Sequence, residues 1–313
     1  MDIITATFES VAVLLGIGVL GFSIIVRRIL PEDALGILST LALDIALPCL
    51  IFTNLIINFR PEDIPGWWML PLWWLFFTAL AAIMTGLFMF TARKGNRREF
   101  AGTLFYQNAI FFPLAIITGI FGGESRHIVT LFLFTMFNAS FFFSTNHMFF
   151  HVAGKKSGWK KILNSVLIVT IMATVIPLIK IQIYIPGFVI LALKMVGGMA
   201  VPIVMIILGG NIYIDFKNKG QLFISEVIKF ILIKNIIFPV ITLLVLLLIQ
   251  PAYNIALIII LQSAVPPITA MPIVVDRAGG NKSIVNQFMF FSFIFSLVTI
   301  PVMLFLFKYY FTP

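Results

Sequence analysis

Charge is scarce in this chain. Asp, Glu, Lys and Arg make up 11% of its 313 residues, against about 25% in soluble domains. Apolar residues make up 61%, and the mean hydropathy is +1.10. So little charge cannot clothe a surface in water, and the chain reads as an integral membrane protein. Cysteine is nearly absent: Cys49 alone excludes an intramolecular disulfide. Three histidines leave little for a metal centre. His147 and His151 stand at i and i+4, half of a metal-site spacing, but no carboxylate or third histidine lies near them, so no metal and no cofactor is expected. The absence of a P-loop, and of a glycine-rich fingerprint after a strand, argues against ATP-driven pumping by this chain. No paired-carboxylate, Ser/His or metal constellation is visible, so an enzyme is not expected either.

What the chain does have is long apolar runs. Ten can be drawn, near 6–26, 34–57, 67–92, 99–121, 127–152, 162–182, 187–212, 223–249, 254–276 and 284–308. At roughly 20 residues per spanning helix they leave no room for a sizeable soluble domain. The N-terminal MDIITATFES lacks a basic region, so the first run reads as a span and not as a cleaved signal. The net charge of +9 could suggest nucleic acid, yet most of the cations sit in short loops. Fourteen lie in the odd loops, from Arg27 and Arg28 through Arg93 and Lys155 to Arg277 and Lys282, and only Arg60, Arg126 and Lys180 lie in the even ones. The positive-inside rule then puts odd loops in the cytoplasm and both termini outside, in a multi-pass cell membrane protein with no nucleic-acid partner. Trp67, Trp68, Trp73 and Trp74 would form an aromatic belt at the outer end of span three.

An odd number of spans per half inverts the second half, so the expected fold is all-α, ten transmembrane helices in a 5+5 inverted repeat, residues 1–157 and 158–313. Prolines support the pairing. Pro48 in span two and Pro202 in span seven are 154 residues apart; Pro113 in span four and Pro272 in span nine are 159 apart. Corresponding broken spans point to the substrate site of a secondary transporter. Pro266, Pro267 and Pro272 must interrupt span nine, and freed backbone groups at membrane depth need protein or a wet cavity around them. Pro113 and Pro272 each suit the first turn of a new half-helix. The N–H groups there would form an anion cradle, with Gln107, Asn108, Gln262, Ser263 and Thr269 around it. The competing reading is that the prolines merely kink helices and the amides glue them together.

At these residues the chain resembles the auxin efflux carrier family, which holds the plant PIN auxin exporters and their prokaryotic relatives, within a bile acid/auxin transporter superfamily. The likeness runs over the whole chain, through ALPCLIF in span two, QNAIFFPL in span four, VPIVMIILGGNI in span seven and VPPITAMPIVVDRAGGNKS in span nine. The resemblance implies a scaffold of spans 1, 2, 6 and 7, and a transport part of spans 3–5 and 8–10. It also implies crossing helices four and nine, and elevator-type export of organic anions. Asn108 and Pro113 fall on the family's span-four pattern, Pro267 and Pro272 on that of span nine. Ala115 stands where many relatives carry a further proline, and the long hydrophilic loop of the long plant exporters is missing, so auxin itself is not carried over as substrate. The alternatives are a sodium-coupled bile-acid-type organic anion symporter and a channel.

Charges inside spans are costly, about 2.5–3.5 kcal/mol for a central Asp or Lys, and usually face the bundle interior. Asp44, four residues before Pro48, is the candidate for proton or sodium coupling, with a scaffold-packing role as the alternative. Lys194, Lys229 and Lys234 are read as snorkelling to the interfaces, and Gly209 and Gly210 as close helix packing. The expected partners are a small organic anion, a proton or sodium ion and the bilayer, with a homodimer through scaffold helices as the assembly.

Overall fold

A computed structural model of the chain describes residues 3–150, 164–217 and 222–311. It is built of helices; among the described residues the one β-type contact is an isolated antiparallel bridge. Helix α1 is Ile3–Val26. A second span runs as α2, Ala34–Thr40, a π-helical turn, Leu41–Ala46, and α3, Leu47–Asn58. Helix α4 is Leu70–Phe88, entered through a short turn at Trp67–Met69. The next segment is split into α5, Arg97–Phe105, and α6, Phe111–Phe121. So is the one after it, into α7, Arg126–Phe134, and α8, Asn138–Thr145. Helix α9 is Ser165–Leu178; α10, Gly187–Gly198, and α11, Ala200–Lys217, follow end to end. Helix α12, Ile224–Ile231, passes through a second π-helical turn, Leu232–Ile237, into α13, Phe238–Ile249. Helices α14, Tyr253–Ala264, and α15, Met271–Arg277, are again two halves of one segment, and α16, Lys282–Tyr310, closes the chain. Six segments are long and apolar enough to cross a membrane, and four shorter apolar helices lie among them. The protein is an all-α, multi-pass membrane protein.

The interruptions follow from proline chemistry. Proline offers no N–H to the carbonyl four residues back and its ring crowds that carbonyl. Pro48 and Pro239 are each the second residue after a π-helical turn, so the widened turn absorbs the crowding at Asp44 and Asn235 without ending the span. Such turns are frequent at functional sites. The segment expected as one run over 127–152 is instead broken at Thr135–Phe137, where no proline announces it; Thr135 turns its hydroxyl back onto the Leu131 carbonyl. His151 lies outside the described residues, and so does the side chain of His147. Among the described residues no group of three His, Cys, Asp or Glu side chains could hold a metal.

Helix α1 packs along α11 and also meets α6 and α16; α3 packs on α9 and α10. The α1–α11 seam depends on Gly209: a Cβ there would overlap the Gly18 carbonyl on α1, backbone that cannot swing away. Overpacking of this kind costs about 1–3 kcal/mol. Gly209→Val therefore lowers the thermal midpoint of the purified protein by several degrees, and a midpoint equal to wild type would show that the seam can widen freely.

Candidate functional site

The two split segments are tied together at their breaks. After Phe105 the backbone turns extended at Tyr106 and re-enters helix at Phe111; after Ala264 it turns extended at Val265 and re-enters at Met271. The extended pieces lie side by side, with Gln107 bridged to Pro267. The Asn108 N–H donates to the Pro266 carbonyl at 2.9 Å, and the Ile268 N–H donates to the Tyr106 carbonyl at 3.0 Å. Buried backbone groups need partners, and each break supplies some of the other's.

Two carbonyls stripped of a helical donor by proline are met by side chains from elsewhere. Pro113 cannot donate to the Ala109 carbonyl, and the Gln262 side-chain amide does so instead at 2.7 Å. Pro267 cannot donate to the Ser263 carbonyl, and the Lys234 ammonium does so at 2.6 Å. Lys234 is fully buried, with its nitrogen also 5.1 Å from the centre of the Phe238 ring. Snorkelling was the expectation for this lysine, and the structure corrects it. The widened turn of the eighth span aims the side chain inward, at the frayed end of α14. Its neighbour Asn235 binds α16, donating to the Ser292 carbonyl at 3.0 Å and accepting from the Ser292 hydroxyl at 2.8 Å. Lys229 and Lys194 are more exposed and ion-paired, with Glu226 at 2.8 Å and Glu124 at 3.3 Å.

The paired breaks also leave donors over. Among the described residues, no protein acceptor meets the backbone N–H groups of Ala109, Ile110, Phe111 and Phe112, nor those of Thr269 and Ala270. The Asn108 side-chain amide nitrogen is buried and equally without a partner. Asn108 to Phe111 and Ile268 to Ala270 line one cavity of about 250 Å³, whose opposite wall holds Ser39, Thr40, Asp44 and Asn211. Asn138 and Asn164 complete its polar lining. The Asp44 carboxylate is exposed to this space and makes no hydrogen bond or ion pair among the described residues. Pro113 and Pro272 fall in the first turns of α6 and α15 and shape the backbone without lining the space. A larger cavity, about 630 Å³, lies toward the other end of the same helices beside Glu9, Thr118, Glu124 and Lys194, and contains no residue of either break.

Of the expected polar groups, then, Asn108, Thr269 and Asp44 share one cavity. Gln107, Gln262 and Ser263 stand behind it as braces. Gln107 donates its side-chain amide to the Leu104 and Phe105 carbonyls at 2.7 and 3.2 Å, and the Ser263 hydroxyl returns to Ile260 at 2.7 Å. Asn138, Asn164 and Asn211 were not foreseen. Asn138 opens α8 at the unannounced break, and Asn164 caps α9 while donating to Ser140 at 3.0 Å. Unpaired N–H groups and a free carboxamide, with Asp44 as the one charged residue of the lining, make a cavity that can hold an anion by hydrogen bonds from the backbone.

No curated protein matches the sequence. A family model described as membrane transport protein matches residues 6–157 and 144–304, nearly the whole length. The chain therefore belongs to the membrane transport protein family of auxin efflux carrier type, a family of transporters and not of enzymes.

Proposed function

We propose that this protein is a secondary carrier of small organic anions, binding a carboxylate at the paired breaks between α5 and α6 and between α14 and α15. The observation that carries this reading is that five residues with unpaired N–H groups, Ala109, Ile110, Phe111, Thr269 and Ala270, line one cavity of about 250 Å³ together with the free Asn108 carboxamide. Pockets for drug-sized ligands run to about 300–1,000 Å³, so the size suits a small mono- or dicarboxylate. Half-helix N-termini aimed at an anionic group are a recurrent transporter device.

The remaining features are assigned in the same reading. Ten spans form two inverted halves, 1–157 and 158–313. Spans 1, 2, 6 and 7 make a static scaffold, with a homodimer formed through it, against which spans 3–5 and 8–10 move as an elevator, carrying Asn108 and Thr269 past Asp44. With odd loops cytoplasmic and both termini outside the cell membrane, the cavity beside Ser39 and Asn164 faces inward, as an exporter waiting for substrate would. Asp44, on the scaffold wall, would influence coupling more than recognition: Asp44→Asn changes the pH dependence of flux and leaves substrate affinity within about threefold. An unaltered pH profile at matched protein amounts would remove Asp44 from the mechanism.

The function is tested by flux of labelled carboxylates into proteoliposomes under imposed proton or sodium gradients. Saturable counterflow is expected, and conductance without saturation would mean a channel. Orientation is tested separately in a Cys49→Ser background with Glu62→Cys and Gly95→Cys, both exposed positions. In intact cells an impermeant thiol reagent should label position 62 and not 95, and the opposite pattern inverts the topology.

A further inference from the structure

The larger cavity, about 630 Å³, falls within the size range of drug-sized ligand sites, and its chemistry is the reverse of that at the breaks. Helices α1, α3, α6 and α11 wall it with apolar side chains, among them Leu14, Leu50, Leu114 and Val201. Its charged residues are Glu9, Glu124 and Lys194. Glu124 and Lys194 pair with each other at 3.3 Å. Glu9 is left as a carboxylate with no hydrogen bond or ion pair among the described residues. Asn54, in the same lining, commits its side-chain nitrogen to the Leu50 carbonyl at 2.9 Å and keeps its oxygen for another donor. A carboxylate ligand would meet the like charge of Glu9, whereas an ammonium, which only donates hydrogen bonds, meets acceptors. The cavity also spans a seam. Ser10 on α1 and Gly119 on α6 both line it, and a Cβ on Gly119 would overlap the Ser10 side chain.

We propose that this cavity is a second ligand site, selective for lipophilic amines: the apolar body fills the space between α1, α3, α6 and α11, and the ammonium is held by Glu9 with the Asn54 side-chain oxygen as a further acceptor. Occupancy of the site does not depend on the organic-anion reading above; its consequence rests on that reading. There α6 belongs to the moving part and α1, α3 and α11 to the scaffold. A bound amine then joins the two parts and stops carboxylate flux without entering the cavity at the breaks.

Two probes of one shape separate charge from apolar filling: aminoadamantane and adamantanol. Thermal midpoints of detergent-purified protein are followed as each is added, since a ligand of the folded state raises the midpoint with its concentration. The amine should stabilise the wild type with a half-effect at roughly tenfold lower concentration than the alcohol. Glu9→Gln removes a hydrogen-bond acceptor for a charged group, so it should weaken the amine by roughly tenfold, to the level of the alcohol, and leave the alcohol where it was. Lys194→Met frees Glu124 and should tighten the amine severalfold. Uptake of the probes by detergent is the same for every variant. Equal effects of the two probes on the wild type would mean that apolar filling alone binds them, and would overturn the proposal. So would a Glu9→Gln protein that still prefers the amine, or an amine affinity that Lys194→Met leaves unaltered. In proteoliposomes the amine should lower the maximal rate of carboxylate flux and leave its half-saturation unchanged; competition with the carboxylate would put the amine in the cavity at the breaks and overturn the second site. A protein that binds the amine in this pattern but moves no carboxylate would leave the amine site standing and remove the organic-anion reading.

Discussion

Asn108→Ala weakens binding of a small carboxylate by roughly ten- to a hundredfold while the protein stays folded. The side-chain amide nitrogen is buried, unpaired and beside the cavity, so its removal deletes one hydrogen bond to a charged group, worth about 1.5–3 kcal/mol. The bridge itself survives, because Asn108 contributes to it through its backbone N–H, not its side chain. Calorimetric titration of wild type and variant, matched for thermal stability, measures the difference. Equal affinities would take Asn108 out of the site, and a variant that cannot be purified folded would make the amide a packing group.

Gln262→Leu destabilises the protein by about 1–3 kcal/mol, the cost of a buried acceptor left without a donor, seen as a lowered thermal midpoint. The acceptor is the Ala109 carbonyl, which Pro113 deprives of its helical donor and Gln262 supplies across 153 residues of sequence. The pairing makes a sharper statement possible. Pro113→Ala restores an N–H four residues after Ala109, so the double variant Pro113→Ala with Gln262→Leu should recover most of the stability that Gln262→Leu alone loses. Contacting sites of this kind commonly show coupling of about 0.5–3 kcal/mol. Additive effects in the double-mutant cycle would mean that the cost of Gln262→Leu does not come from the acceptor that Pro113 leaves open. Transport should behave oppositely: Pro113→Ala extends α6 backward and retracts the N–H groups of Ala109 to Phe112, so flux falls at least tenfold even as stability returns.

How much of this was legible in the sequence divides along a physical line. Composition and apolar runs suffice for an all-α membrane protein, because hydrocarbon solvation acts on averages. The interruptions at Pro113, Pro266, Pro267 and Pro272 were legible because proline acts locally on the carbonyl four residues back. The partners of those carbonyls were not. Gln262 and Lys234 meet Ala109 and Ser263 through tertiary packing, and the snorkelling rule pointed Lys234 the wrong way. Its distance from the inner end of the eighth span, together with Pro239 five residues on, is the signal that could have placed it inside. The break at Thr135–Phe137, and with it Asn138 in the cavity wall, carries no proline or glycine and had no such signal. Gln107, Gln262 and Ser263 were placed at the right break but on its far side, a distinction that depends on side-chain direction across an irregular turn and not on residue type.

If the paired breaks form the anion site, a bound carboxylate must shield Thr269, which lines the same cavity. In a Cys49→Ser background, Thr269→Cys places a thiol in the wall of the cavity that Asn108 and the free backbone donors also line. Its alkylation by a small thiol reagent is followed in purified protein as carboxylates of increasing size are added. A transported carboxylate should slow the reaction at least tenfold at saturation, with a half-effect at its binding constant, and Asn108→Ala should shift this half-effect upward by the same factor as the affinity. A labelling rate indifferent to every carboxylate that the protein transports would place the substrate away from the paired breaks.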